Sequence, residues 1–289
     1  MVAVLAQVQS AVVSPAVEAF VAKYQNVCAL PENATRIIRM TRDPDVNIAS
    51  LVKLISQDAA LTGRIMKAVN SAFYALPDKM VRLDRAVAYM GLKTVKEVAI
   101  SSTLSGLCKQ ISFGKYEDRD LWDHSVGVAI MARELARHAK TMDPEEAFLA
   151  GMLHDIGLLL EAQSEPLKGE LVLTTADNGS AFMPIEKKIY GFDHTELGAR
   201  LAAGWRFPEG ILAGIRWHHQ PEQAPPEHQA LCKHLYIADM LCSAAKVGCP
   251  LTCNQQKLTD AQMAESKITQ ELADTVAGKL PILLRLFMS

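Results

Sequence analysis

Residues 143–160 read DPEEAFLAGMLHDIGLLL, and this stretch decides the class of fold. It opens with an aspartate suited to cap a helix, with Pro144 at the first helical position and two glutamates in the first turn. The side chains that follow are apolar on nearly every side, which predicts a buried, central helix from Pro144 to about Leu160. His154 and Asp155 are the exceptions. A carboxylate in such surroundings needs a compensating partner, and the adjacent imidazole points to a divalent metal.

Helical spacing of apolar residues continues along almost the whole chain, and sustained alternation of period two is nearly absent. Segments 193–196 and 259–262 read DHTE and TDAQ, which are patterns that begin helices through side-chain caps. The β-branched run 171–175 lies between helical patterns without a partner strand nearby, so we predict a helix there as well. The sequence therefore predicts an all-α, multi-helical bundle.

Turn-forming residues divide this helical chain. Proline-containing breaks cut the first part into short helices, and the segment ISFG at 111–114 is the preferred boundary after it. We therefore expect an N-terminal helical part, a helical part that contains all eight histidines, and a C-terminal helical extension, which are residues 1–112, 113–250 and 251–289. The stretch 258–289 of the extension is expected to pack back on the core, with a dimer contact as the alternative for its apolar end, residues 280–284.

Composition limits the classes of partner. With 289 residues and 49% hydrophobic content the chain can bury a substantial core, and its net charge of −2 gives no general attraction to nucleic acid or membrane. We expect neither as a partner.

The apolar run 1–13 lacks Lys and Arg and is too short to span a bilayer, so we predict a helix. Six scattered cysteines fit reduced thiols and a cytoplasmic location; for Cys249 and Cys253, buried or loop positions are favoured over a zinc site.

Histidines and aspartates interrupt apolar helical sequence at several further places. Each alone is most simply a hydrogen-bonded core residue, but together they predict a metal site. The candidate ligands, of which His154 and Asp155 are also the candidate catalytic residues, are His124, His154, Asp155, His194, His218, His219 and Asp239. His234 is a candidate for supporting one of these ligands, whereas His138 and His228 are expected to be solvated.

The order of these residues resembles a known superfamily. His124, then His154 and Asp155 within His-Asp-Ile-Gly, then Asp239 resemble the ordered ligand set of the HD superfamily of metal-dependent phosphohydrolases. The three remaining histidines of the set resemble additional ligands of the HD-GYP branch, whose members hold two or more iron-like metals and cleave cyclic dinucleotides. This resemblance implies one or two divalent ions, and iron, manganese, nickel and zinc all suit such ligands.

The chain departs from the HD-GYP pattern in two places. That pattern has a lysine where this chain has Leu158, and a Gly-Tyr-Pro motif where residues 220–223 read QPEQ. Losing the lysine removes a cation that would neutralise a substrate phosphate. The first half instead resembles the HD-related output domain, HDOD, through DAAL at 58–61 and above all VNSAFY at 69–74, whose asparagine also suits the C-terminal cap of a helix. The resemblance covers about residues 25–245.

The HDOD resemblance implies a regulatory or binding module of bacterial signal transduction. Its surface would contact a signalling protein, and its metal would serve structure or ligand sensing. The alternative is a metal-dependent phosphohydrolase in which metal-activated water attacks a phosphodiester, with a nucleotide or cyclic dinucleotide as ligand. In that case Arg216, Lys187, Lys188 or Lys233 would replace the missing lysine, although by residue type each is expected on a solvated face.

Overall fold

The computed structural model describes residues 14–30, 32, 35–37, 47–107, 112–113, 116–176, 182–248 and 258–287. The predicted helix at 1–13 and the Cys249–Cys253 pair lie outside these residues. Within them the all-α prediction is confirmed, because strand structure amounts to a two-residue antiparallel pair, β1 (Ser112–Phe113) and β2 (Tyr116–Glu117). No helix in this part of the chain combines the length and the apolar character needed to cross a bilayer.

The helices, in chain order, are α1 (Pro15–Lys23), α2 (Gln25–Cys28), α3 (Ile48–Ser56), α4 (Ala59–Val69), α5 (Leu83–Met90), α6 (Leu92–Leu104), α7 (Asp118–Ala139), α8 (Pro144–Leu153), α9 (Ile156–Ser164), α10 (Pro166–Thr175), α11 (Phe182–Tyr190), α12 (His194–Gly204), α13 (Glu209–Trp217), α14 (Gln229–Ala244), α15 (Asp260–Glu265) and α16 (Gln270–Phe287). Short 3-10 turns add Ser105–Leu107, Pro221–Gln223 and Pro226–His228.

The chain forms two compact units. The first contains the described residues up to Ala29 and from Ser112 to Leu280, and the second contains those from Leu30 to Leu107 and from Pro281 onward.

Local capping explains where several helices begin. The Asp193 side chain accepts a hydrogen bond from the backbone N–H of Glu196 at the start of α12, and Thr259 and Gln262 form a capping box at the start of α15. Both predicted starts are confirmed. The β-branched run 171–175 forms the second half of α10, so the predicted helix there is also confirmed.

The predicted continuous helix over the opening stretch is wrong. Helix α8 ends at Leu153 and α9 begins at Ile156, and His154 and Asp155 form the turn between them. Asp155 has φ −102° and ψ 16°, outside the helical region. The His154 ring also bonds back to the carbonyl of Gly151, at 2.7 Å from Nδ1. The break places the two polar side chains of this apolar stretch at a helix junction.

Gly157, in the first turn of α9, explains why the chain turns there. A Cβ at this position would overlap the carbonyl oxygen of His194 and lie 2.9 Å from the backbone nitrogen of Gly198, so only glycine allows α9 and α12 to approach this closely. The contact draws the start of α9 onto α12, which ends the straight course of α8.

The core of the first unit lies where α7 packs against α8 and α14, and where α12 packs against α9 and α13. Phe148 of α8 is among its largest fully buried side chains. In α16, Ala273, Val276 and Leu280 are buried, which confirms that this helix packs back as predicted, although Ile282 remains 53% exposed.

A carboxylate ties the N-terminal helices to the rest of the first unit. Lys23 and the Tyr24 hydroxyl each donate to one oxygen of Glu165 at 2.8 Å, and Lys168 forms an ion pair with the other at 2.6 Å. Burial alone would raise the pKa of Glu165, but these three donors outweigh burial and lower it to about 2.

The second unit contains α3 to α6. Asn70 ends α4 as its C-cap, as the sequence indicates, and its side-chain amide pairs with the backbone of Met80. The Asn70 oxygen accepts from the Met80 N–H at 2.7 Å, and its nitrogen donates to the Met80 carbonyl at 2.9 Å. The loop after α4 is therefore closed at its base by one side chain.

Candidate metal centre

The seven predicted ligand residues come from five places in the first unit, and the structure brings them together. His124 lies on α7, His154 and Asp155 form the α8–α9 turn, and His194 begins α12. His218 and His219 follow the end of α13, and Asp239 lies on α14. Their side chains form two groups, and within each group one candidate ligand atom per residue lies within 4.8 Å of the others. Their role as metal ligands stays a prediction.

The four-residue group consists of Asp155, His194, His218 and His219. The Oδ1 atom of Asp155 lies 3.5 Å from Nε2 of His194 and 3.5 Å from Nε2 of His218. His219 completes the group, with its Nε2 at 3.2 Å from Nε2 of His194. One carboxylate oxygen and three imidazole nitrogens thus converge on a small volume.

The three-residue group consists of His124, His154 and Asp239, all buried. Nε2 of His124 lies 3.0 Å from Oδ1 of Asp239. His154 connects the two groups, because its Nε2 lies 3.2 Å from Oδ2 of Asp155. The two oxygens of Asp155 therefore face different groups, as a carboxylate that bridges two sites does.

Three buried atoms at the junction of the groups test whether this arrangement fits a cation. Asp155 Oδ1, His154 Nε2 and His218 Nε2 have no hydrogen-bond partner within the described part of the chain. Polar atoms buried without a partner cost about 1–3 kcal/mol each. One divalent ion in each group would satisfy all three, His154 in the three-residue group and the other two in the four-residue group, and such ions accept mixed imidazole and carboxylate donors. The residues present therefore fit a metal.

The orientation of the imidazoles supports the same interpretation. His154 and His218 each donate from Nδ1 to the carbonyl three residues earlier, at 2.7 and 2.8 Å, and His124 donates from Nδ1 to the carbonyl of Val247 at 3.1 Å. A carbonyl oxygen can only accept, so Nδ1 carries the hydrogen in each ring. When the ring is neutral, Nε2 then presents a lone pair toward the groups, which is the tautomer a metal requires.

His194 is anchored by a carboxylate instead. Its Nδ1 lies 2.8 and 3.1 Å from the two oxygens of Glu186, a fully buried residue on α11. Burial would lower the pKa of His194, but the charge and hydrogen bond of Glu186 outweigh burial and raise it to about 9. The Glu186 carboxylate therefore favours a hydrogen at Nδ1.

Charge is distributed unevenly over the two groups. Burial alone would raise the pKa of Asp155 and of Asp239, but the neighbouring imidazoles hold both well below their usual range. Burial also lowers the pKa of His218, and it lowers the pKa of His219 strongly, with the charges of neighbouring imidazoles adding to the effect. His218 and His219 are therefore imidazoles that resist protonation, whereas neighbouring carboxylates raise the pKa of His154 and His194 despite their burial, so these two rings have to lose a proton before they bind a metal.

Comparison with known proteins assigns the chain to a family. The family model for the HDOD domain matches residues 27–221. The chain belongs to the HDOD family. The match contains six of the seven candidate ligand positions and ends before Asp239, so the described structure of this HDOD chain extends the site beyond the family match.

The HDOD chain is similar to an uncharacterised protein of Treponema pallidum (strain Nichols), at 27% identity over 222 residues that cover 75% of this chain and 42% of that one. It therefore spans less than half the length of that relative. Among solved structures it is similar to an HDOD domain protein of unknown function from Geobacter sulfurreducens, with TM-score 0.75, 26% identity and coverage of 89% and 90% of the two chains. A Shewanella amazonensis SB2B protein, provisionally named a phosphohydrolase, shares the fold, with TM-score 0.74, 24% identity and coverage of 95% and 98%.

Three of the four cations considered as replacements for the missing lysine are paired with acids of the HDOD chain. Arg216 donates to the Thr195 hydroxyl and to Glu196, and Lys187 donates to Glu196 at 2.6 Å. Lys233 pairs with Glu265 and Glu222, while Lys188 is exposed. Leu158 itself is buried. None of the contacts described for these cations is with either ligand group.

The supporting role predicted for His234 is wrong. Its ring bonds to the Thr141 hydroxyl at 3.1 Å and to the Ala230 carbonyl at 3.0 Å, which occupies both nitrogens away from the ligands. The carboxylate that does support a ligand, Glu186, was missed because it precedes two lysines and resembles part of a solvated face. His138 is exposed, as predicted, and His228 is half-buried.

Proposed function

We propose that this HDOD chain is a regulatory module of bacterial signal transduction that binds one or two divalent metal ions through the two ligand groups. The observation that carries the proposal is the set of unpartnered buried atoms, Asp155 Oδ1, His154 Nε2 and His218 Nε2, between imidazoles whose Nδ1 atoms are already engaged. A signalling protein as partner and a cytoplasmic location stay predictions.

The donor set narrows the choice of ion. Five imidazoles and two carboxylates favour iron, manganese, nickel or zinc over magnesium and calcium, which prefer oxygen ligands. With four residues in one group and three in the other, each group provides enough donors for one ion. The bridging position of Asp155 supports occupancy by two.

The regulatory role is favoured over hydrolysis because, within the described residues, the contacts of the four cations considered from the sequence do not include either ligand group. Leu158 is buried and apolar, and three of these cations, Lys187, Arg216 and Lys233, are paired with carboxylates. Phosphoester cleavage depends on such positive charge to stabilise the transition state. The metal of this chain would then stabilise the first unit or report a ligand that reaches the ion.

A metal-dependent phosphohydrolase is the second candidate, and the adjacency of the two groups favours it. The His124 and His154 rings lie 5.5 Å apart and the His154 and His218 rings 4.9 Å apart, so two ions would be neighbours. Paired ions can activate water and stabilise both oxygens of an in-line displacement. In this chain His154 and Asp155 would hold that pair, and a nucleotide or cyclic dinucleotide would be the substrate.

Metal content tests the proposed site. The wild type, His154→Ala and Asp155→Ala are purified without oxygen or chelator and analysed by elemental mass spectrometry, with His138→Ala as a control because its ring is exposed. We expect one or two ions per chain in the wild type and in the control, and loss of metal in the other two variants. A wild type that stays empty after reconstitution with iron, manganese and zinc refutes the metal site.

A turnover assay separates the two candidates. The loaded wild type is incubated with an aryl phosphodiester and with a cyclic dinucleotide. The regulatory role predicts no hydrolysis by the wild type, and lower stability or metal content in the Asp155→Ala variant. Hydrolysis that disappears in both His154→Ala and Asp155→Ala, but not in His138→Ala, would establish the enzyme instead.

A further inference from the structure

Two buried glutamates outside the ligand groups lie in a row behind His194. Glu161 on α9 is 1% exposed and Glu186 on α11 is fully buried. The carboxyl of Glu161 lies within hydrogen-bonding reach of Glu186, whose two oxygens lie 2.8 and 3.1 Å from Nδ1 of His194. The row ends at the four-residue group, where Nε2 of His194 faces Asp155.

Two carboxyl groups in contact inside a protein cannot both be ionised at moderate cost. Both oxygens of Glu186 already accept from the imidazole of His194, so the hydrogen between the two carboxyl groups belongs to Glu161. Burial and the charge of Glu186 raise the pKa of Glu161 well above its usual value, in agreement with this assignment. Glu161 is then a neutral acid that donates its O–H to Glu186.

We propose that Glu186 is a positioning residue that holds His194 with Nδ1–H outward and Nε2 toward the four-residue group, and that Glu161 holds Glu186 in place as a hydrogen-bond donor. The effect on metal affinity rests on the proposed function, whereas the ring orientation does not. The Nδ1 atoms of His124, His154 and His218 are anchored by neutral carbonyls, so among these four rings His194 alone has a carboxylate acceptor at Nδ1. A charged acceptor strengthens the hydrogen bond and makes Nε2 a better donor to a metal.

Four variants separate acceptor, donor and shape. Glu186→Met keeps the approximate shape and removes the acceptor, and Glu186→Gln keeps a neutral acceptor. Glu161→Gln keeps a donor, because its amide N–H replaces the acid O–H, and Glu161→Met removes it. Zinc affinity is measured by competition with a chelator. We expect a loss of about 10–100-fold for Glu186→Met, a smaller loss for Glu186→Gln, near wild-type affinity for Glu161→Gln, and a measurable loss for Glu161→Met.

The orientation of the ring is read separately by nitrogen-15 and proton NMR of the histidines, with Glu97→Gln as a control because Glu97 is a buried glutamate of the second unit. We expect a slowly exchanging proton on Nδ1 of His194 in the wild type, in Glu97→Gln and in Glu161→Gln, and its loss in Glu186→Met. A role confined to stability would lower the unfolding midpoint without moving this signal.

Each outcome decides the proposal. Wild-type zinc affinity in both methionine variants overturns it. If the wild type binds no zinc, the proposed function fails, and the Nδ1 proton of His194 alone decides the positioning role by its loss or persistence in Glu186→Met. If Glu186→Met does not fold, the Glu161 pair decides: weaker binding by Glu161→Met than by Glu161→Gln supports the proposal, and equal binding overturns it.

Discussion

Replacing Gly157 by alanine tests whether the contact between α9 and α12 sets the geometry of the candidate centre. The added Cβ would overlap the carbonyl oxygen of His194, and it would lie 2.8 Å from the carbonyl carbon of that residue and 2.9 Å from the nitrogen of Gly198. All three are backbone atoms, so no side chain can rotate to relieve the overlap. The helices have to separate, and His194 moves with α12.

The expected magnitude follows from two opposing effects. Overpacking at a tight contact costs about 1–3 kcal/mol, and backbone overlap places this site at the upper end of that range. Alanine regains up to about 1 kcal/mol of helix propensity, so Gly157→Ala should lower the free energy of unfolding by about 2 kcal/mol. Gly278 lies in α16 of the same unit with nothing within 4 Å of a Cβ, so Gly278→Ala should raise it by about 0.5–1 kcal/mol.

The assay is chemical denaturation of both variants beside the wild type, followed by zinc competition on the folded proteins. We expect Gly157→Ala to be less stable and to bind zinc at least tenfold more weakly, because Nε2 of His194 is displaced from Asp155. Gly278→Ala should bind zinc as the wild type does. Equal stability of the two variants would refute the reasoning, and a destabilised Gly157→Ala with unchanged zinc affinity would separate the helix contact from the site.

Three further outcomes are expected. Zinc at about 100 times its dissociation constant should stabilise the wild type by about 2.7 kcal/mol in a thermal or chemical denaturation, and Asp155→Ala should show no such gain. Glu165→Gln should be less stable than the wild type at pH 7, because a depressed pKa stabilises the fold only while the carboxyl is ionised. In denaturation at several pH values, the difference in unfolding free energy between the two proteins should shrink as pH falls from 4.5 to about 2. A difference that stays constant over this range would contradict this cause. Asn70→Ala removes both bonds to Met80 and should lower the free energy of unfolding by about 1–2 kcal/mol, measured by denaturation. Asn70→Asp should lie between it and the wild type, because it keeps the acceptor. Wild-type stability in both variants would show that the loop is closed by other contacts.

Local patterns predicted much of the helical structure because the forces that begin a helix are local. The caps at Asp193 and Thr259 are formed by side chains within three residues of the backbone groups they satisfy, so sequence alone indicates them. The turn at His154 and Asp155 could not be predicted in this way. It depends on the contact of Gly157 with a helix that begins 37 residues later in the chain, at His194.

The candidate site likewise has residues that the sequence predicts and residues that only the structure identifies. Its seven residues could be named because polar side chains in apolar helices are conspicuous, and the structure brings them into two groups. Glu186 was not conspicuous, since its neighbours Lys187 and Lys188 are exposed and only tertiary packing buries it. Glu161, at the end of an apolar run, carried the same signal as the ligands and was overlooked.

The Nδ1 anchors of His154 and His218 have a consequence for how the site responds to changing metal supply. Each ring is held by a carbonyl three residues earlier, which the end of its own helix has already placed. The loss of rotamer freedom for these side chains therefore occurs when the chain folds and not when an ion arrives. If the proposed metal binds, its centre would be preorganised: ions would enter and leave without refolding, and occupancy would follow the concentration of free metal in the cell.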